Sequence, residues 1–337
     1  KKEKGSRQKK GRILEVSSMM SPVTSHQSPR KYYAVFGKPI LHSRSPQLFN
    51  SVFEKSGMDA FYTRIRALSG KDVVEIIKNL NISGANITTP FKEEVMPYLD
   101  FIADDAKLIG GVNTIVNADG KLSGYNTDHF GVTRSLIESG LNLNGLKCLI
   151  LGAGPAARAA VYGLVKNGAE VAVSNRTHSK AELIANDFGC RAIEIDKVNA
   201  VIGEFDVVIS TLLPDANPIS DVDLPAKLTI LDANYRMSNF GMYAEAFDCK
   251  IISGKRWLIN QAVESFKLYF GVDPDIKAME KGLSVDLVRS SINAIPYSSG
   301  ARYVNLIKAD IVISLPAAQV DCLNTFLDEE VCKVFGS

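Results

Sequence analysis

The stretch from 147 to 165, KCLILGAGPAARAAVYGLV, constrains the fold more than any other part of the chain. The apolar run Cys148–Leu151 is followed at once by a glycine-rich turn, then by small and apolar residues at helical spacing. A short strand that is apolar without alternation is buried on both faces, as in a parallel sheet covered by helices. Gly152-Ala153-Gly154-Pro155-Ala156-Ala157 fits the pattern G-x-G-x-x-A. The first glycine permits the tight turn, the second lets a diphosphate approach the backbone, and the small last residue lets helix and strand pack closely. The helix N-terminus then faces an anion. Pro155 donates no N–H, but at a first helical position that donor is free in any case. The context predicts a nucleotide-binding α/β unit; the six residues alone also fit a glycine-rich connector without a ligand.

About 20 residues further on, an NAD-binding chain carries an acid for the ribose 2′-hydroxyl. That place reads Ser174-Asn175-Arg176-Thr177, with no acid, and Lys180 lies one helical turn beyond. A guanidinium forks onto phosphate oxygens, so the expected cofactor is NADP. The plainer alternative for Arg176 is an exposed arginine at a strand end.

Strands and helices alternate through most of the chain. In the first half, YYAVF, FYTRIRA and GANIT read as strands, with helical patterns at 46–55 and in KDVVEIIKNL, and VNTIVN and KLSGYN read as a hairpin around Asp119-Gly120. In the second, EVAVS, FDVVISTL and KLTILDANY read as further strands, and a helix spans 256–270. Consecutive strand–helix units predict a doubly wound parallel sheet. The expected fold class is α/β: two α/β domains, an N-terminal substrate domain and a Rossmann-type doubly wound NADP-binding domain. The expected divisions are a disordered basic leader or linker (1–30), a catalytic, substrate-binding α/β domain (31–130), the NADP-binding domain (131–255), a helix returning to the substrate domain (256–275) and an extension of unassigned role (276–337). The extension contains a strand-like run, RYVNLIKADIVISLP, and a short helical pattern near the end.

A net charge of +2, from 39 basic and 37 acidic residues, makes no case for nucleic acid or an anionic membrane surface. No run of 18 uninterrupted apolar residues is present, so no membrane span is expected. Cys148, Cys190, Cys249, Cys322 and Cys332 form no C-x-x-C pair and are odd in number. That fits a reducing compartment better than a disulfide framework. The four histidines are not at metal-ligand spacing, so no protein-held metal is expected. The expectation is cytoplasmic, or plastid if the basic leader is a transit or fusion remnant. The chain begins without Met, as a piece of a longer or fused polypeptide would.

Lys92 raises a separate question. Thr89-Pro90 reads as a helix N-cap and first helical residue, which puts Lys92 in the first turn, where the macrodipole disfavours a cation. Such a placement is a candidate functional compromise. The alternative is a solvated lysine beside Glu93 and Glu94.

Eight stretches, in order, resemble the shikimate dehydrogenase family across 32–272: GKPILHSRSPQLFN, GANITTPFK, GGVNTI, GYNTDHFG, GAGPAARAA, SNRTHSKA, VISTLLP and INQAVESF. The resemblance implies NADP-dependent, reversible reduction of 3-dehydroshikimate to shikimate, in the chorismate route to aromatic amino acids. It implies Lys92 and Asp128 as the acid–base pair. A ketone reduction needs a proton for the developing alkoxide, and a lysine ammonium held by a carboxylate can supply both charge and proton. It implies Ser43 and Ser45 at the substrate carboxylate, Asn86, Thr88, Asn113 and Gln261 at the ring hydroxyls, and Tyr235 near the substrate. Ser45-Pro46 also reads as an N-cap and first helical residue, which would serve the helix alone. Gly254 and Trp257 fall beside the nicotinamide, in a GKRWLINQA run where the family commonly has G-x-G-M-L, and Pro155 replaces a frequent glycine. The i, i+4 spacing of Trp257 and Gln261 puts both on one helix face, so Trp257 is expected to line the same cleft. Two rival readings are a quinate/shikimate dehydrogenase using NAD and a catalytically weak NADP-binding regulator. The paired serines and the missing acid at 174–177 speak against the first, and the intact Lys92/Asp128 pair against the second.

Overall fold

The computed structural model describes residues 30–221 and 223–284, with three further strands at Ile292–Pro296, Arg302–Leu306 and Val312–Leu315. The expected leader, apart from Arg30, and the terminal helical pattern lie outside the described residues.

The first half runs β1 (Lys31–Gly37), α1 (Ser45–Ser56), β2 (Ala60–Arg66), α2 (Gly70–Asn79), β3 (Gly84–Ile87), α3 (Phe91–Glu94), β4 (Phe101–Ile102), α4 (Asp104–Ile109), β5 (Thr114–Ala118), β6 (Lys121–Tyr125) and α5 (Asp128–Glu138). Its sheet is ordered β2-β1-β3-β5-β6-β4. β1 pairs in parallel with β2 and β3, whereas β5 runs antiparallel to both β3 and β6. β5 and β6 are joined by a tight hairpin. Asp119 and Gly120 at its tip have φ of 52° and 86°, the left-handed pair a two-residue turn needs.

The second half runs β7 (Lys147–Leu151), α6 (Pro155–Lys166), β8 (Glu170–Ser174), α7 (His178–Phe188), β9 (Arg191–Ile193), α8 (Val198–Val201), β10 (Val207–Ser210), β11 (Thr229–Asp232), α9 (Asn239–Glu245) and β12 (Lys250–Ser253). Its strands pair in parallel throughout, in the order β12-β11-β10-β7-β8-β9. The order reverses between β7 and β10, and a crevice outside the carboxyl ends of the strands at such a point is where doubly wound sheets bind ligands. Leu151, Ser174, Ser210 and Asp232 stand in register along that edge.

Helix α10 (Gly254–Phe270) then leaves the second sheet and packs on the first. Its Leu258, Ile259, Ala262, Val263 and Phe266 share a buried cluster with Tyr33, Val35, Phe49 and Tyr62. α11 (Ile276–Leu283) lies against α1, where the Gly282 backbone approaches Gln47 so closely that a Cβ would strike its carbonyl. The strands at 292–296, 302–306 and 312–315 form an antiparallel meander. Among the described residues no helix is long and apolar enough to cross a membrane.

Two local expectations are corrected. The Thr89–Pro90 peptide is cis, and Pro90, at φ −94° and ψ 3°, precedes the helix instead of opening it. α3 is a single turn of four residues, so the macrodipole acting on Lys92 is small. Ser45 is the first helical residue of α1, with Arg44 before it and no side-chain cap. Its hydroxyl therefore has no capping duty.

Candidate active site

A cleft of about 480 Å³ opens between the first sheet and α10. Ser43, Ser45, Asn86, Thr88, Asn113, Tyr235 and Gln261, singled out by sequence for substrate, all line it together with Lys92. They come from the β1–α1 loop, the end of β3, the approach to β5, the loop after β11 and α10, so no single motif assembles the cavity.

Lys92 Nζ donates to Asp128 Oδ2 at 2.5 Å, with the two side chains 12% and 6% exposed. Both backbones are held. The Lys92 carbonyl accepts from Val112 N. Asp128 opens α5, and its N–H donates to Asn126 Oδ1, while Asn126 Nδ2 donates to the Gly111 carbonyl. The ammonium and its carboxylate thus sit on two separately braced segments that meet at the cavity wall.

The polar wall divides into groups that are occupied and groups that are not. Asn86 Oδ1 accepts from the Tyr62 and Tyr269 hydroxyls at 2.7 and 3.2 Å, and its Nδ2 donates to Ser265 and Thr114. Asn113 is as fully used, by Thr127 and Gln261 through Nδ2 and by the Thr127 N–H through Oδ1. A carboxamide has two donors and two acceptor positions, so both asparagines use their capacity inside the protein. Both also line the cleft, so they brace its wall from within. Gln261 Nε2 and the hydroxyls of Thr88 and Tyr235 make no bond among the described residues, and all three residues line the cleft. The Ser43 and Ser45 hydroxyls share one long contact, at 3.4 Å, and both residues are buried. Burial, reinforced by the Asp128 charge, pushes the Tyr235 phenol up to about 12, so it is a donor at neutral pH. Burial and the neighbouring Arg64 lower the His42 pKa, which favours a neutral imidazole at the rim.

The bracing residues Tyr62, Thr114, Thr127, Ser265 and Tyr269 were missed from sequence. The repeated Asn-Thr pairs at 113–114 and 126–127 and the i+4 position of Ser265 after Gln261 were the available signals.

The residues for a dinucleotide fit one. Gly152 has φ +115°, and a Cβ there would collide with the Thr211 hydroxyl. Gly154 precedes α6 with no atom within 4 Å of where its Cβ would stand, so the backbone of Gly154, Pro155 and Ala156 is open to a phosphate. Pro155 takes the first helical position as expected, and Ala157 is fully buried against the sheet. Asn175 Nδ2 closes onto the Thr177 carbonyl, and Arg176 and Lys180 project into solvent at the end of β8. Arg158, one residue past the turn, reaches back to the first half: Nε donates to the Ile109 carbonyl at 2.7 Å, while Nη1 pairs with Asp187.

Trp257 is not part of the cleft. Its ring is 5% exposed, joins the buried cluster of Val132, Leu136, Ile150 and Leu231, and lies directly on Gly131. Although it shares a stripe of α10 with Gln261, the missing side chain at Gly131 lets α5 approach and close over the indole. Gly254 is likewise buried against the Ala233 and Asn234 backbone, where it permits α10 to start beside β11.

Known proteins match this geometry. Residues 35–115 match the shikimate dehydrogenase substrate binding domain, residues 135–221 the shikimate/quinate 5-dehydrogenase model, and residues 258–281 the shikimate 5′-dehydrogenase C-terminal domain. A shikimate dehydrogenase (NADP(+)) of Pyrococcus abyssi is 36% identical over 257 residues, covering 74% of this chain and 96% of the relative. The shikimate 5-dehydrogenase of Thermus thermophilus, solved in complex with NADP(H) and shikimate, superposes with a TM-score of 0.69 at 31% identity, covering 75% of this chain and 98% of the other. A dehydroquinate dehydratase and shikimate dehydrogenase from S. pombe aligns with a TM-score of 0.65 at 27% identity, and the match takes in 76% of this chain and 53% of that longer one. With these family matches and this extent of identity over nearly the whole length of the relative, the chain belongs to the shikimate dehydrogenase family.

Proposed function

We propose that this protein is an NADP-dependent shikimate dehydrogenase, which reversibly reduces 3-dehydroshikimate to shikimate. The observation that carries the reading is the Lys92–Asp128 pair, buried at the wall of a cleft that also collects the Ser43 and Ser45 hydroxyls. NADPH, when bound, supplies the hydride. The backbone at 152–156 holds its diphosphate and Arg176, with Lys180, its 2′-phosphate.

The remaining chemistry belongs to side chains. Ser43 and Ser45 donate to the substrate carboxylate, which fixes one end of the ring. Thr88, Tyr235 and Gln261 meet the ring hydroxyls, backed by Asn86 and Asn113. The carbonyl to be reduced then lies at Lys92. Lys92 Nζ donates its proton to the oxygen as negative charge develops there, and in the reverse direction it takes that proton back. Asp128 keeps the ammonium oriented and balances its charge. The S. pombe neighbour makes a fused arrangement a second part of this proposal: the chain stands as one module of a longer polypeptide.

The test is reduction of NADP⁺ or NAD⁺, followed by absorbance, with shikimate and quinate offered separately. Turnover of shikimate with NADP⁺ is the expected result. Preference for quinate with NAD⁺ would favour the rival dehydrogenase, and no turnover with any pair would sink the assignment.

A further inference from the structure

Arg64 lies on β2, behind the loop that carries Ser43 and Ser45. Its Nε and Nη2 both donate to the Ser43 carbonyl, at 2.8 and 2.6 Å, and Nη2 also reaches Gln47 Oε1 at 2.8 Å. All of these partners are neutral. Among the described residues no Asp or Glu pairs with this guanidinium, and the charged or titratable groups beside it are Arg44, a second cation, the phenol of Tyr62 and the imidazole of His42. A mostly buried cation without an anion is costly, and proteins keep such groups paired. Burial and Arg44 together lower the Arg64 pKa to about 10, which still leaves it charged at neutral pH.

Arg64 therefore holds a positive charge at one end of the cleft with only neutral hydrogen-bond partners among the described residues. The Ser43 and Ser45 hydroxyls at that end are both buried and are weak partners for a carboxylate on their own. We propose that Arg64 is a positioning residue for the substrate carboxylate: it clamps the Ser43 carbonyl from behind the wall and supplies the field in which an anion binds at Ser43 and Ser45. The clamp sets the direction of the two hydroxyls. The charge selects a carboxylate over a neutral group of the same shape. This extends the substrate site beyond the residues that line it, and it rests on the reading of that site given above.

The experiment compares shikimate with its neutral methyl ester on the full chain, by NADP⁺ reduction and by calorimetric binding without cofactor. Arg64→Gln should raise the KM and Kd for shikimate roughly tenfold, equivalent to about 1.4 kcal/mol, with kcat changed less than about threefold. The ester should be nearly indifferent to the change. Arg64→Lys, which keeps the charge, should restore most of the preference for the carboxylate. An equal loss for acid and ester would mean that Arg64 merely supports the loop, and no loss for either would also overturn the proposal. If Arg64→Gln does not fold, the lysine variant decides: a matching loss on both ligands overturns it, and a retained preference for the acid upholds it. Binding of shikimate without turnover would remove the dehydrogenase reading while leaving Arg64 to be judged on the two Kd values. If the wild-type protein does not bind shikimate at all, both readings fall.

Discussion

Substituting one member of the Lys92–Asp128 pair leaves the other charged in a place that water barely reaches. At a separation of 2.5 Å the two charges attract by roughly 6–7 kcal/mol at an effective dielectric constant near 20. Desolvation of both offsets much of this, and breaking one side of such a buried pair costs about 3–5 kcal/mol. Asp128→Asn keeps the shape and one hydrogen bond, so the low end applies, about 3 kcal/mol. For a chain this long that lowers Tm by roughly 6–12 °C. Lys92→Met, which strands the carboxylate, should cost as much or more. The double variant Lys92→Met/Asp128→Asn removes both charges and should be more stable than the two losses added together, by about 2 kcal/mol. Catalysis should show the same coupling: kcat falls by roughly 10²–10⁴ in Lys92→Met, and removing Asp128 as well adds less than its separate effect. Calorimetric melting of the wild type and the three variants, and their steady-state turnover with shikimate and NADP⁺, measure both cycles. Strict additivity in stability and in rate would show two independent residues and refute the acid–base unit.

Arg176→Ala should raise the KM for NADP⁺ by about tenfold or more, as loss of a charge-assisted contact does, and leave that for NAD⁺ nearly unchanged; equal losses would make Arg176 a support of the fold. Gly131→Ala drives a methyl group into the Trp257 indole and should cost about 1–3 kcal/mol, while Trp257→Ala should cost about 3–5 kcal/mol; the Trp257→Met enzyme should keep its KM for NADP⁺, and a large change there would return the indole to the cofactor site. Burial pushes the Cys148 thiol up to about 12 and Cys190 to about 11, so neither is a thiolate at neutral pH. Mass-spectrometric mapping after alkylation should find Cys148 modified only once the protein is unfolded, and rapid native labelling would contradict its burial.

The residues that converge on the cleft were legible because each stands in a local motif whose chemistry is incomplete by itself: paired serines before a proline, an Asn-x-Thr ending a strand, a lysine in a first turn. What those motifs did not disclose is which polar groups are already occupied. Asn86 and Asn113 read as substrate ligands, but their bonds to the phenols of Tyr62 and Tyr269 and to the Thr127 hydroxyl were not legible, since those partners lie up to 183 positions away. Trp257 failed for a related reason. Helical spacing says which side chains share a face, but the identity of what covers that face was decided by Gly131 on another helix. Pro90 failed locally, since the sequence pattern of a helix start is the same whether the preceding peptide is trans or cis. Arg64 carried no motif at all. Its meaning comes from what is missing around it.

Helix α10 has a consequence for the order of events during synthesis. Tyr269 completes the hydroxyl network of Asn86, 183 positions earlier, and α10 supplies one wall of the cleft and the cover over Tyr33 and Phe49. At about 5–20 residues per second, the first half, complete at Glu138, waits roughly 7–26 s for that helix to end at Phe270. During this interval its aromatic face is without a lid, and the intervening doubly wound sheet is the next unit to emerge. The first sheet is therefore completed only after the second has been made, and separating it from residues 254–284 would uncover the face that carries Tyr33 and Phe49.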